Sequence, residues 1–134
     1  MKTSPHVLLL PLACICCLLV PCIGLAEGAV RRLECTVQTT CDARGRCAAA
    51  AGEISFRLEP IRISEGGAGS YRIVYGDRSA DMQAQSELGP YYWTIDSRRH
   101  ALIISSESQW LWHELETSPS PVATIRFLTC SLQG

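Results

Sequence analysis

The chain has 134 residues, of which 47% are hydrophobic, and a formal net charge of −1. This near-neutral, well-mixed charge provides no basic patch for nucleic acid and no cationic surface for an anionic membrane. Of the eight cysteines, four lie outside the N-terminal apolar segment, and in an oxidising compartment such an even set in a short chain indicates a disulfide framework.

The first 26 residues read as a secretory signal peptide. Lys2 gives a short basic start, an apolar run covers residues 7–23, and Ala26 ends a small-x-small cleavage site. Pro11 and Pro21 within the run argue against an uncleaved membrane anchor. We therefore predict a periplasmic or secreted protein with no stable membrane insertion after signal cleavage.

Signal cleavage removes four of the eight cysteines, so 8 − 4 = 4 remain in one predicted domain over residues 27–134. Four thiols allow three pairings. We pair Cys41 with Cys47, which closes a small loop, and Cys35 with Cys130, which joins the first strand to the last. On the chain-entropy model the small loop contributes about 2 kcal/mol and the long one about 4 to 5 kcal/mol.

Alternating apolar and polar residues predict short strands along the domain. The first covers residues 33–39, and Ala48–Ala51 predicts a helical turn. The next strand starts at Ile54 and kinks at Glu59-Pro60, because proline cannot donate a hydrogen bond to a ladder. The glycine-rich run 64–70 is predicted to be a plain loop, since it lacks the spacing of a phosphate-binding loop.

The second half of the chain reads as consecutive hairpins. In the first of these, a turn over residues 76–79 would place Tyr75 opposite Ala80. Further strands are predicted over residues 91–96, 100–105, 109–115 and 122–130. About eight short strands and no convincing helix predict an all-β fold. We choose a small antiparallel meander β-barrel stapled by two disulfides over a β-sandwich, because closure removes exposed sheet edges.

The strands between Tyr91 and Leu115 are the candidate functional region, because both of their faces are apolar. The turns are predicted to centre on Ser97-Arg98 and Ser106-Glu107, which places Ile95 opposite His100. One face then carries Trp93, Ile95, His100, Leu102, Ile104, Leu111, His113 and Leu115. The other carries Tyr92, Ala101, Ile103, Trp110 and Trp112.

Two interpretations of this region remain open. In the first, one face lines the interior and the Trp110 and Trp112 face contacts a protein partner or a small apolar ligand. In the second, the N-terminal arm, Ala48–Ala51 or the 116–121 loop covers both tryptophans. The candidate binding residues are Tyr92, Trp110, Trp112, His100 and His113.

The predicted register places His100 opposite His113, which raises the question of a metal site. Two ligands are too few, and no other ligand residue is predicted nearby on that face, so we predict no metal and no cofactor. The chain has no Gly-x-Ser-x-Gly motif, and Asp77 and Asp81 suit turn and solvent-facing positions. We predict a non-enzymatic binding module, with a hydrolytic or redox enzyme as an alternative.

The layout of the domain carries a resemblance. With its cysteine cluster at Cys35, Cys41 and Cys47, its hairpin series and its closing Thr129-Cys130, it resembles small, uncharacterised periplasmic or secreted proteins of Gram-negative bacteria. That resemblance implies no known activity. More weakly, the architecture resembles the periplasmic C-type lysozyme inhibitors, which are small disulfide-stapled β-barrels. This second resemblance implies inhibition of a cell-wall hydrolase as an alternative function, with no inhibitory residue carried over.

Overall fold

The computed structural model describes residues 28–133, so the predicted signal peptide over residues 1–26 lies outside the described residues. The described part is all-β, with nine strands. They are β1 (Arg31–Asp42), β2 (Cys47–Ala49), β3 (Glu53–Ile63), β4 (Gly69–Tyr75), β5 (Arg78–Ala84), β6 (Tyr91–Ile95), β7 (Arg98–Ile104), β8 (Gln109–Glu116) and β9 (Val122–Gln133). Between residues 28 and 133 there is no helix of the length and apolarity needed to cross a bilayer.

The sheet closes on itself. Its strands pair antiparallel in the order β2-β1-β3-β4-β5-β6-β7-β8-β9, and β9 pairs back onto β1. The extra strand, β2, pairs with residues 39–41 of β1, whereas β3 pairs with residues 31–36 of the same strand. The result is a closed eight-stranded antiparallel barrel with one additional short strand. The predicted all-β barrel is therefore confirmed.

Both predicted disulfides are present. Cys35 on β1 is bonded to Cys130 on β9, its direct cross-strand partner, with a Cα–Cα distance of 4.0 Å. Cys41 on β1 is bonded to Cys47 on β2, also at 4.0 Å. The first bridge is buried in the core and ties together the first and last strands of the barrel. The second holds β2 against β1.

Inward-facing side chains fill the barrel. The buried set is rich in aromatic residues, and its rings pack mainly edge to face, which is the arrangement that their quadrupoles favour. The core consists of Leu33, Cys35, Phe56, Leu58, Tyr71, Ile73, Tyr75, Met82, Ala84, Tyr91, Trp93, Leu102, Trp110, Trp112, Leu128 and Cys130. The interior is thus a packed core built from every strand of the barrel proper.

One local prediction is wrong and another is confirmed. Residues Ala48–Ala51 were expected to form a helical turn, but Cys47–Ala49 form β2 instead. The reason is tertiary: the bridge to Cys41 holds this segment beside β1, where the amide of Ala50 donates a hydrogen bond to the carbonyl of Gln38. The predicted kink in β3 is confirmed by a register shift that follows Pro60.

Two predicted hairpin registers are wrong by two residues. Both turns contain only two residues, and the first residue of each has a positive φ, of 56° and 54°. Such tight turns match the twist of the flanking strands. Because side chains alternate with a period of two, the shift leaves each one on its predicted face. The predicted pairs Tyr75–Ala80 and Ile95–His100 are replaced by Tyr75–Arg78 and Ile95–Arg98.

Candidate binding face

The hairpin of β7 and β8 departs from its predicted register by one residue. Unlike the two-residue shifts of the other hairpins, this shift changes the face on which side chains lie. Leu102 pairs with Trp112. The amides of Ser105 and Ser106 both donate to the carbonyl of Gln109, at 2.9 and 3.1 Å, so that two residues oppose one as in a β-bulge. A slip of one residue turns every side chain of β8 to the other face of the sheet.

Trp110 and Trp112 consequently point into the barrel. Their exposed fractions are 5% and 6%, so the predicted exposed contact patch that contained them is wrong. They are buried by the barrel interior and not by a covering segment. Trp112 packs edge-on against Phe56 and Tyr75, with ring centroids 5.5 and 5.7 Å apart. Both tryptophans are therefore core residues.

The predicted facing pair of histidines is also wrong. His100 points inward and pairs across the strands with Glu114, whereas His113 points outward and pairs with Ala101. The expectation that no acidic residue lies near His100 fails with it, since Glu114 Oε2 is 3.7 Å from His100 Nδ1. Across residues 28–133, no three or more histidine, cysteine, aspartate or glutamate side chains are grouped as a metal ion would require.

His100 is packed inside the aromatic core. Its ring stacks on Trp93 with centroids 4.8 Å apart, and its Nδ1 accepts a hydrogen bond of 3.2 Å from Trp112 Nε1. An accepting Nδ1 carries no hydrogen, so in this arrangement the ring hydrogen lies on Nε2, which is buried and has no hydrogen-bond partner in the described part of the chain. Burial lowers the pKa of His100 below its ordinary value of 6.5, and the nearby Glu114 carboxylate opposes that shift.

A cluster of charged side chains lies above this aromatic layer at one opening of the barrel. Arg98 lies 3.2 Å from a carboxylate oxygen of Glu116 and 3.9 Å from one of Glu114. Arg126 lies 3.9 Å from Glu114, and its guanidinium sits 4.6 Å from the centroid of the Trp112 ring. This cluster was not predicted, because the predicted register placed Glu114 on the outside of the barrel.

The same slip brings other apolar residues to the outside of β8, where they join those of the flanking strands. We call this surface the outer apolar face. It consists of Tyr92, Ala101, Ile103, Leu111, His113, Ile125 and Phe127. Its residues form two cross-strand rows, one running from Tyr92 to Ile125 and the other from Ile103 to Phe127. Side chains in such rows contact one another, so the surface is continuous.

Three members of the outer apolar face are open to solvent. Tyr92 is 44% exposed, Phe127 43% and Ile103 36%. The row that contains Ile125 continues to the Cys41–Cys47 bridge, because Ile125 pairs with Cys41. Of the predicted binding residues, Tyr92 and His113 belong to this face. The two β9 members, Ile125 and Phe127, were not among the predicted binding residues, although they alternate with Arg126 in the sequence.

The fold and this surface together define a small, disulfide-stapled β-barrel with an apolar patch on its outer wall. No family model, no curated protein and no solved structure matches the chain.

Proposed function

We propose that the chain is an exported, non-enzymatic binding module that contacts a protein partner through the outer apolar face. The observation that carries the proposal is the pair of adjacent apolar rows on the outside of four consecutive strands, β6 to β9. Isolated exposed apolar side chains are common on soluble proteins, whereas contiguous patches mark interaction sites.

The packing of the ionisable groups in the barrel supports a non-enzymatic role. A general base needs access to the proton that it removes. The side chain of His100 has no exposed surface, and its Nδ1 already accepts the hydrogen bond from Trp112. The pKa of His100 is lowered by burial. The Glu114 carboxylate, 3.7 Å from His100 Nδ1, is itself 3.9 Å from both Arg98 and Arg126. These residues serve the packing of the barrel end.

Export is the second part of the proposal. Two disulfides formed by all four cysteines of residues 28–133 are compatible with an oxidising compartment. The test is fractionation of a Gram-negative host that produces the chain with a C-terminal epitope tag. Release of the tag with the periplasmic fraction or into the medium is expected. A tag confined to the cytosol, on a chain with free thiols, would contradict export.

A small apolar ligand is the second candidate, and a specific cleft favours it. At the end of the barrel opposite the charged cluster lies a cleft of about 200 Å³. Its lining combines apolar side chains with two charged ones, Arg31 and Glu107. The apolar side chains include Leu33, Ile104 and Trp110, and those of Leu88 and Leu132, which are 58% and 62% exposed. A ligand here would contact the rim of the core and leave the outer apolar face free.

Binding of the dye anilinonaphthalene sulfonate separates the two candidates. The double variant Ile103→Ser with Phe127→Ser removes the most exposed aliphatic and aromatic side chains of β7 and β9 from the outer apolar face. Leu88→Ser with Leu132→Ser removes the apolar rim of the cleft. Val30→Ser with Ile61→Ser is the matched control, since these residues are 47% and 57% exposed and belong to neither site.

We expect the native chain to enhance dye fluorescence and the outer-face variant to lose most of that signal. The control variant should retain it. Loss of the dye signal in the Leu88→Ser, Leu132→Ser variant alone would favour a small apolar ligand over a protein partner. An equally weak signal from the native chain and all three variants would remove both candidates.

A further inference from the structure

The two disulfides differ in their exposure to solvent. Both residues of the core bridge are buried, with Cys35 3% and Cys130 5% exposed. The second bridge joins Cys41, which is 6% exposed, to Cys47, which is an exposed residue. A thiolate opens a disulfide by attacking one of its two sulfur atoms, so access decides which bridge can react in the folded chain. Among the four bridged residues, Cys47 is the accessible one.

An open cleft of about 460 Å³ leads to the exposed bridge. Both bridge cysteines line it, together with Arg46 and Thr124. The loop between the two cysteines contains two arginines, Arg44 and Arg46, against one carboxylate, that of Asp42. A net positive charge beside a disulfide favours thiolates, both the attacking one and the one that leaves. The cleft therefore has the access and the charge that a small thiol reagent needs.

Strand β2 has few contacts apart from this bridge. Its three residues are all exposed, and among the strands of residues 28–133 it pairs with β1 alone. That pairing covers residues 39–41 of β1. Strands are stable when they bury an apolar face, and a short pair without one is marginal. The disulfide is therefore the main restraint that holds β2 against β1.

Closure of the barrel does not depend on β2. Strand β9 pairs with β1 from Arg32 to Asp42, and the buried Cys35–Cys130 bridge links the same two strands. Neither Cys41 nor Cys47 belongs to the core cluster. The exposed bridge can therefore open while the barrel stays closed and its core stays packed.

We propose that the Cys41–Cys47 bridge is a redox switch, which a small dithiol opens so that β2 is released from a barrel that stays folded. A thiolate of the dithiol first attacks Cys47 Sγ and forms a mixed disulfide, and Cys41 Sγ leaves with the electron pair and takes a proton from water. The second thiolate of the reagent then attacks the reagent sulfur of the mixed disulfide, which frees Cys47 as a thiol. The bridge gains two electrons and two protons, and the dithiol loses them and becomes a disulfide.

The released segment borders the outer apolar face. The cross-strand row that contains Ile125 continues through Cys41 to Cys47, and the row that contains Phe127 continues through Thr39 to β2. Strand β3 pairs with residues 31–36 of β1, so the loss of β2 uncovers the edge of β1 over residues 39–41, beside that face. The inference rests on the exposed bridge and not on the proposed function, so either can fail without the other.

Differential alkylation of the folded, oxidised chain tests the proposal. The chain is treated with dithiothreitol, samples are blocked with iodoacetamide at intervals, and peptide mass spectrometry locates each alkylated cysteine. Cys41 and Cys47 should be alkylated at least about a hundredfold faster than Cys35 and Cys130, because the buried bridge reacts only after the barrel opens. The near-ultraviolet circular dichroism of the buried tryptophans should be retained while the first bridge opens.

Equal rates for the two bridges would overturn the proposal, and so would loss of the near-ultraviolet signal as the first bridge opens. Either result would mean that reduction requires unfolding of the barrel. The sulfur that is attacked is identified with an excess of glutathione, a monothiol, which should give a mixed disulfide at Cys47. A mixed disulfide at Cys41 would overturn the assigned direction of attack.

Hydrogen exchange measures the release of β2. The amide of Ala50 donates to the carbonyl of Gln38 across the β1–β2 pair, whereas that of Cys130 donates to the carbonyl of Ser108 and serves as the control. After selective reduction and alkylation, the Ala50 amide should exchange at least about tenfold faster. The exchange of the Cys130 amide should not change. Unchanged exchange of the Ala50 amide would overturn the release of β2.

The double variant Cys41→Ala with Cys47→Ala is the matched control for the bulk of the alkyl groups. It should show the same fast exchange at Ala50 without any reagent. Fast exchange in the alkylated chain alone would come from the added groups and would overturn the release of β2. Should the variant not fold, exchange in the reduced chain without alkylation, kept in dithiothreitol, decides between the same two outcomes.

Discussion

The clearest quantitative test of the fold uses its two disulfides, which close loops of very different length. The Cys35–Cys130 bridge joins residues 95 positions apart, and the Cys41–Cys47 bridge joins residues 6 apart. Replacing both members of one bridge by alanine releases the unfolded chain from that cross-link. Alanine suits Cys35 and Cys130 because both are buried, and a serine hydroxyl there would need a hydrogen-bond partner.

The loop lengths set the magnitude. With 95 and 6 residues, the chain-entropy relation gives losses of about 4.7 and about 2.2 kcal/mol at 25 °C. The removal of the long bridge should therefore cost about 2.5 kcal/mol more than the removal of the short one. For a domain of this size that difference corresponds to roughly 10 to 20 °C in Tm.

Urea unfolding followed by tryptophan fluorescence measures both losses, since the three tryptophans of the chain are all buried in the core. The m-value should also rise more when the long bridge is removed, because the unfolded chain then exposes more surface. Equal losses from the two double variants would refute the entropic argument. So would a larger loss from the short bridge.

Three further predictions concern the core and its turns. Burial lowers the pKa of His100, so the unfolded state binds the proton at a higher pH than the folded state does. The free energy of unfolding should therefore fall as the pH drops below 6.5. Urea titrations between neutral and acid pH should show a smaller fall for His100→Phe. Leu128→Ala should cost about 2 to 5 kcal/mol because Leu128 is fully buried, whereas Leu132→Ala at an exposed site should change stability by less than about 0.5 kcal/mol; paired thermal melts compare them. Gly69→Ala would place a Cβ 2.2 Å from the Arg62 carbonyl oxygen and should lower the Tm well below that of Gly45→Ala, whose Cβ meets open space; equal melting temperatures would contradict the steric argument.

The fold could be predicted because it depends mainly on local residue patterns and on the number of cysteines. Alternation with a period of two marks a strand whatever its partner, and turn residues separate one strand from the next. The cysteine count then restricts how the ends of the sheet can meet. The helical turn expected at Ala48–Ala51 does not form. Alanine is the best helix former, but four residues are too few for a stable helix alone, and the bridge to β1 holds the segment as a strand.

The face of β8 was not readable from alternation alone, because both of its faces are apolar. The number of residues in the preceding turn decides which face points inward. The observed connection is one residue longer than the predicted one, because Ile104 pairs with Trp110 and not with Gln109. The wrong turns before β5 and β7 did not change which face their side chains occupy. In each of these hairpins the observed register differs from the predicted register by two residues, an even number, so every side chain lies on its predicted face.

A physical criterion for the orientation of β8 does exist in the sequence. A buried indole N–H needs an acceptor, and a barrel interior has to be filled by large side chains. With Trp112 inside, its Nε1 meets His100 Nδ1, and its ring packs against Phe56 and Tyr75. The opposite orientation would fill the same layer with Leu111 and His113, which are smaller, and would leave two indoles in water. The volume of the two indoles and the acceptor for Trp112 Nε1 therefore favour the observed register, and the apolar residues that remain outside are those that form the outer apolar face.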